Sequence, residues 1–386
     1  MGRQFIMPPR IFTGAGSLEL AQKEFQALGS RALIITGPNV KKLACFKKLT
    51  EFLSKIGVSY RIYSEVTGEP DDVIVLNGLI KYRLEKCDHL IAIGGGSPID
   101  TMKAIAALSV NSGRISDYMG KAIEGDMPPM AAIPTTAGTG SEATKFTVIT
   151  DSETSIKMLL KGDGLVPELA IVDPEFSMSS PKSVTASTGL DALTHAVESY
   201  TSRLAQPLSD LFAISAVKRI IKYLPTAYTD SSDAEAREQM SLAAFEAGVA
   251  INNASVTIVH GMSRPIGALF HVPHGLSNAM LLEKCMGFAL DGEYERFAEL
   301  ARASGAAKSS DSDKQAAEKF LEKLGEICRI CEVPTLEQYG ISRQEFMAHI
   351  DKMADDALAS GSPANTIKPV SKQDVIGIYR SLWDQT

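Results

Sequence analysis

His89-Leu-Ile-Ala-Ile-Gly94-Gly95-Gly96-Ser97-Pro98-Ile99-Asp100 is the stretch on which the fold turns. Residues 89–93 are an apolar run too short for a helix, so they read as a buried strand. Three glycines follow, and then a helix opens. Ser97 is expected to cap its N-terminus and Pro98 to occupy its first turn. Glycines let a phosphate approach the backbone, and a helix N-terminus favours its charge. The spacing is not G-x-G-x-x-G. Taken alone, the turn reads either as a phosphate cradle or as a tight corner.

The same alternation extends on both sides. Residues 32–36 read as a buried strand, followed by a loop at Gly37-Pro38-Asn39 and a helix through Phe52. Residues 59–63 read as a strand and 73–86 as a helix. Residues 130–133 form a strand entering Pro134-Thr135-Thr136-Ala-Gly138-Thr139-Gly140-Ser141-Glu142. Residues 145–150 and 169–172 read as further strands of this domain. Strands alternating with helices predict a mostly parallel, doubly wound sheet. Two loops of glycine and hydroxyl residues at strand ends are where such a sheet binds a nucleotide. The plainer reading of the second loop is a polar turn with local hydroxyl-to-backbone bonds.

After Pro181 the period changes to helical, over 190–201, 207–223, 234–251, 293–303, 314–330, 343–358 and 372–383, with no convincing strand. Residues 304–313 read as a surface loop. The expectation is α/β: residues 1–182 a doubly wound dinucleotide-binding domain, and residues 183–386 an all-helical metal-binding domain.

Two domains also suit 386 residues. Hydrophobic residues make up 45% and charged residues 22%, as in ordinary globular enzymes. A formal charge of -7 argues against nucleic acid or an anionic membrane as the main partner. No window reaches the roughly 18 uninterrupted apolar residues of a membrane span. No apolar signal region opens the sequence. The cysteines (Cys45, Cys87, Cys285, Cys328, Cys331) are odd in number and scattered, which suits a reducing cytoplasm. Cys328-Arg-Ile-Cys331 lacks a second pair and lies in a helical run, so it reads as structural.

Only six histidines occur, and four fall in two segments. In Asp191-Ala-Leu-Thr-His195 the i, i+4 spacing puts both groups on one helix face. His260 and His274 flank glycines and two prolines, which predicts a bent segment folding back on itself. If the segments meet, Asp191, His195, His260 and His274 make a three-nitrogen, one-carboxylate site for a divalent metal. Such a donor set suits Fe2+, Zn2+, Mn2+ or Ni2+. An isolated Asp/His pair on a helix also reads as a surface or core pair.

Together these segments resemble the iron-dependent (group III) alcohol dehydrogenases, a family that includes lactaldehyde reductase and 1,3-propanediol dehydrogenase. The likeness runs nearly end to end, through Gly94–Asp100, 134–142, the helix from Asp191 to Tyr200, 260–282, and the tail Ala359-Ser-Gly-Ser-Pro-Ala-Asn365. It implies ligation by the four positions just named, with Fe2+ first among the metals, and an active site in the cleft between the domains. It implies NAD(H) or NADP(H) held by Gly95, Gly96, Ser97, Asp100, Thr135, Thr136, Thr139 and Thr144, with Lys157 near the nicotinamide ribose. It implies a homodimer or larger homo-oligomer.

The sequence departs from better-known members in three places. Many NAD-preferring relatives carry Asp after the second strand; Gly37 stands there, in Thr36-Gly37-Pro38-Asn39, with Lys41 and Lys42 nearby. Gly37 and Asn39 therefore leave both NAD and NADP open. Members often read His-Gly-Met-Ala-His, whose second His is a candidate proton relay; Arg264 stands there, and Arg stays protonated, which leaves His271 as the relay. Phe146, Ile251 and Leu358 match pocket positions that differ in the propanediol enzymes. The expected reaction is reversible hydride transfer between a nicotinamide and a small alcohol/aldehyde pair. Arg264 adds the expectation of an anionic aldehyde, such as sulfoacetaldehyde or succinate semialdehyde, unless it pairs with a protein carboxylate or the cofactor phosphates. The alternatives are a non-redox or transhydrogenase relative on the same fold, similar to dehydroquinate synthase, and a non-catalytic nucleotide-binding protein.

Overall fold

The computed structural model describes residues 2–154 and 156–384. Two compact units emerge, Ile6–Ser180 and a second that opens at Pro181 and takes in the first residues up to Phe5. The division differs from the expected 182/183 boundary for local reasons. The first helix of the second unit starts at Lys182 with Pro181 as its N-cap. The N-terminal residues dock on the helical unit, where Phe5 stacks on Phe212 and the Gln206 amide donates to the Gln4 carbonyl.

The first unit is an α/β layer structure. Its strands are β1 (Arg10–Thr13), β2 (Arg31–Ile35), β3 (Ser59–Tyr63), β4 (His89–Gly94), β5 (Met130–Pro134), β6 (Phe146–Thr150), β7 (Lys157–Lys161) and β8 (Leu169–Val172). Its helices are α1 (Ser17–Leu20), α2 (Gln22–Leu28), α3 (Ala44–Lys55), α4 (Asp72–Leu84) and α5 (Gly96–Val110). Six strands form one parallel sheet in the order β1-β8-β5-β4-β2-β3. β6 and β7 pair antiparallel in a separate ribbon. Thus 146–150 belongs to the expected domain but not to its parallel sheet.

Alternation along the strands fills two cores. Leu33, Ile35, Leu90, Ala92 and Ala132 face Ile99, Met102 and Ile105 of α5. Ala32, Ile34, Ile91, Ile93 and Ile133 face Phe46, Leu49 and Phe52 of α3. Covering both faces explains why β2 and β4 are almost wholly apolar. The chain runs from β2 outward to β3, then back past β2 to β4 and on to β5. The direction reverses between β2 and β4, and the crevice beyond the carboxyl ends there is where such sheets take ligands.

The second unit is helical: α6 (Lys182–Tyr200), α7 (Pro207–Thr229), α8 (Ala234–Ala254), α9 (Ile258–Phe270), α10 (His274–Ala289), α11 (Tyr294–Ala303), α12 (Asp313–Ile330), α13 (Arg343–Ala359) and α14 (Lys372–Ser381). Among the described residues it contains no strand, only an isolated bridge between Ser202 and Thr366. The segment expected to bend back is instead two helices, α9 with Pro265 inside it and α10, joined through a left-handed His271. Among the described residues no single helix is long and apolar enough to cross a membrane.

Candidate active site

Asp191 and His195 lie on one face of α6, His260 in the first turn of α9, and His274 at the first residue of α10. The structure brings all four together. Asp191 Oδ1 is 3.8 Å from His195 Nε2, 3.6 Å from His260 Nε2 and 3.8 Å from His274 Nε2. The rings of His195 and His260 stack with centroids 4.7 Å apart. Ligand atoms bonded at about 2.1 Å to one tetrahedral metal lie roughly 3.4 Å apart; Asp191, His195 and His260, whose ligand atoms lie within 4.8 Å of one another, form a group that could hold one ion, with His274 beside Asp191. Asp191, His195 and His260 are buried, whereas 43% of the His274 side-chain surface is exposed.

α10 reaches this position because Gly275 has no side chain. A Cβ there would lie 2.3 Å from the Ser187 carbonyl and 3.2 Å from Asp191 Cβ. Electrostatics then set the protonation. Burial pushes the Asp191 carboxyl up, but the charges of His195 and His274 and its contact with His260 outweigh this and hold it well below the usual carboxylate range.

Two residues not singled out in the sequence complete the site. Glu198 is wholly buried and accepts from His260 Nδ1 at 2.5 Å. Its other oxygen takes the Thr257 hydroxyl at 2.8 Å and the Val259 amide at 2.7 Å. An imidazole donating from Nδ1 keeps its Nε2 lone pair for a metal. Burial pulls His260 down, but Glu198 and Asp191 raise it to about 9. Asn278, one turn into α10, donates to Asp191 Oδ1 at 2.7 Å and lies 3.1 and 3.3 Å from Nε2 of His260 and His274. Positions 191, 195 and 198 share one helix face, as do 274 and 278; that spacing was the available signal.

In the α/β unit, Gly95 and Gly96 face the second loop. A Cβ on Gly95 would sit 3.4 Å from Thr136 Oγ1, and one on Gly96 3.1 Å from the Thr139 methyl. The two loops thus leave a bare backbone cradle. The helix starts at Gly96, two residues earlier than expected, so Gly95 rather than Ser97 is the N-cap, and no side chain caps the amides. Those amides are suited to a phosphate. The residues present therefore fit a nucleotide.

Residues 8–174 match the family described as Iron-containing alcohol dehydrogenase, and residues 185–383 match the Fe-containing alcohol dehydrogenase family, C-terminal. The chain belongs to the iron-containing alcohol dehydrogenases. It is 34% identical to an NAD-dependent methanol dehydrogenase of Bacillus methanolicus, across 98% of this chain and 99% of that protein. The crystal structure of a 1,3-propanediol oxidoreductase superposes with a TM-score of 0.95 at 32% identity, covering 99% of this chain and 100% of the other. A sulfoacetaldehyde reductase from Bifidobacterium kashiwanohense, in complex with NAD+, superposes with a TM-score of 0.88 at 27% identity, with 100% of both chains covered. Family membership makes the chain a metal-dependent, NAD(P)-linked alcohol dehydrogenase.

Gly37 is buried, and any Cβ there would lie 2.9 Å from the Val66 carbonyl, so an acidic side chain is sterically barred. Asn39 beside it is exposed. Thr135 is buried and its amide donates to the Gly94 carbonyl. The Asp100 carboxylate accepts from Ser141 Oγ and the Val148 amide, so both oxygens are used within the protein. Thr144 is buried with its hydroxyl turned to the Ser141 carbonyl. Lys157 pairs with Glu69. Phe146 opens β6 and is half-buried; Ile251 is buried on α8; Leu358 is half-buried on α13. His271 is exposed at the end of α9, and its carbonyl accepts from Tyr339; it takes no part in the ring contacts of the ligand set.

Arg264, one turn beyond His260, is half-buried. Its Nη1 donates to Ser362 Oγ at 3.1 Å. Burial pushes its guanidinium down while the charge of Glu198 pulls it up.

Proposed function

We propose that the enzyme reduces a small anionic aldehyde, with a sulfonate or carboxylate one or two carbons from the carbonyl, and runs the reverse oxidation of the alcohol. One observation carries the anionic part. Among the described residues no carboxylate lies within 4.0 Å of the Arg264 guanidinium, although it is half-buried beside a metal ligand helix turn. A desolvated cation without an ion-pair partner favours an anion, and guanidinium binds carboxylate or sulfonate through paired hydrogen bonds. The likeness to a protein described as sulfoacetaldehyde reductase supports the same substrate class.

Each group then has a stated task. Asp191, His195 and His260, joined by His274 at Asp191, hold the divalent ion, Fe2+ in the family's name, with Zn2+, Mn2+ and Ni2+ compatible with the donors. When bound, such an ion polarises a carbonyl or alcohol oxygen. Gly95, Gly96 and the α5 amides, with Ser97, Thr135, Thr136 and Thr139, bind the pyrophosphate of NAD(H) or NADP(H). Lys157 is assigned to the ribose, and Phe146, Ile251 and Leu358 to substrate contact. Arg264 orients the substrate anion, and His271 relays the proton that balances hydride transfer. The active form is a homo-oligomer, and five free cysteines suit a reducing cytoplasm.

The test is a panel of acidic and neutral aldehydes assayed with NADH and NADPH, in the wild type and in Arg264→Ala. The acidic substrate should lose at least about tenfold in kcat/KM, the value of one charge-assisted pair. The neutral substrate should change by less than about threefold. An equal loss on both would refute the assignment.

A further inference from the structure

Lys103 lies two turns into α5 and is wholly buried. Its Nζ donates to three backbone carbonyls: Ser141 at 2.6 Å, Thr144 at 2.7 Å and Phe146 at 2.8 Å. An ammonium has three protons, so these bonds use all of them. The hydroxyls of Ser141 and Thr144 are 3.2 and 3.0 Å away. They turn their own hydrogens elsewhere, to Asp100 Oδ1 and to the Ser141 carbonyl. Asp100, one turn earlier, holds the same segment from the other side. Its carboxylate takes the Val148 amide and its carbonyl takes the Thr147 hydroxyl. The helix whose N-terminus is the first loop is therefore tied to the continuation of the second loop.

We propose that Lys103 is a built-in cation that positions the second loop for nucleotide binding: its ammonium gathers the carbonyls of residues 141–146 and so fixes that loop against the N-terminus of α5. The inference rests on the reading that these two loops bind the nicotinamide nucleotide. A methionine of similar length would fill the same space, so packing alone does not require the charge. The carbonyls do, because Lys103 Nζ is the one group that bonds all three, and a methionine offers them no hydrogen.

The charged groups facing Lys103 are Asp100 and Glu142. Burial pulls the Lys103 ammonium down to about 8 against the pull of both acids. Glu142 is buried with Oε2 lacking a partner, and burial pushes its carboxyl up to about 7. Burial likewise raises Asp100. Above pH 8 the lysine keeps two hydrogens for three carbonyls, and the clamp loosens.

The experiment is nucleotide binding by the full-length enzyme, followed by NADH and NADPH fluorescence. Lys103→Met should weaken the Kd by at least about tenfold, one unsatisfied buried acceptor or more. Saturating nucleotide should bring kcat back to within about threefold, and bound metal should be unchanged. In Lys103→Ala, added ethylammonium should restore affinity. The wild type needs no altered fold for the second arm: its Kd should be level between pH 7 and 7.5 and weaken through pH 9.5, with Lys103→Met flat. A wild type that binds nucleotide with a pH-independent Kd, or a variant that binds within twofold of it, would overturn the role of Lys103 alone. A wild type that binds neither nucleotide would overturn the functional reading beneath it.

Discussion

Glu198→Gln is the substitution that best tests how the metal ligands are held. Glu198 is wholly buried and its two oxygens divide their work. One takes the Thr257 hydroxyl and the Val259 amide, and the other takes His260 Nδ1. Glutamine has one oxygen and one amide nitrogen in their place. If its oxygen stays with Thr257 and Val259, its NH2 points at the proton on Nδ1. Relief requires the other tautomer, which puts a hydrogen on Nε2, 3.6 Å from Asp191 Oδ1, and removes that lone pair from the ligand set. Loss of a partner behind a ligating histidine costs about 10- to 100-fold in metal affinity, or about 1.4 to 2.8 kcal/mol.

The assay is competition for Zn2+ or Co2+ against a chromophoric chelator, with thermal melting of the metal-free protein alongside. Thr257→Val is the control: it removes a bond to the other oxygen and leaves Nδ1 untouched. It should lower the melting temperature with little change in metal affinity. If Glu198→Gln binds metal within twofold of wild type while remaining folded, the tautomer argument is wrong.

Two further substitutions probe the packing of the two sites. Gly275→Ala places a methyl 2.3 Å from the Ser187 carbonyl; α10 must move off α6, so overpacking of about 1–3 kcal/mol should appear as a lower melting temperature and weaker metal binding in the same titration, and unchanged values would contradict the close approach. Glu142→Gln keeps the shape of a carboxyl that burial pushes from 4.5 up to about 7; a raised acid favours folding below its unfolded pKa and loses that contribution as pH rises to 7, so the variant should match wild type near pH 4.5 and exceed it by up to about 3 kcal/mol above pH 7, and a pH-independent difference would refute the buried charge.

Where the sequence was legible, one local pattern sufficed. β4, the glycine turn and α5 follow from an apolar run and a change of period. β1 was not read because Arg10–Thr13 is a four-residue edge strand, half-exposed, with no alternation long enough to show. α9 was not read because Gly261, Pro265 and Gly267 argue against helix, and tertiary packing overrides that propensity. Gly261 is needed there: a Cβ would lie 2.6 Å from the Pro363 ring. The helix persists because its end amides have Glu198 to bond, a partner that local propensity cannot register.

The same limit separates the four proposed ligands from the residues that place them. Few side-chain types bind a divalent ion well, so three histidines and an aspartate in a chain with six histidines stand out by type alone. Glu198, Asn278 and Lys103 are ordinary residues on helices. Their roles exist only because a partner arrives from 62, 87 or 38 positions away. Arg264 lies between these cases. Its type was conspicuous beside His260, but what it binds depended on whether a carboxylate met it in the fold. Within the described residues none does at ion-pair distance. The proposed substrate anion is the partner this leaves for the guanidinium, and the comparison of acidic and neutral aldehydes in Arg264→Ala decides it.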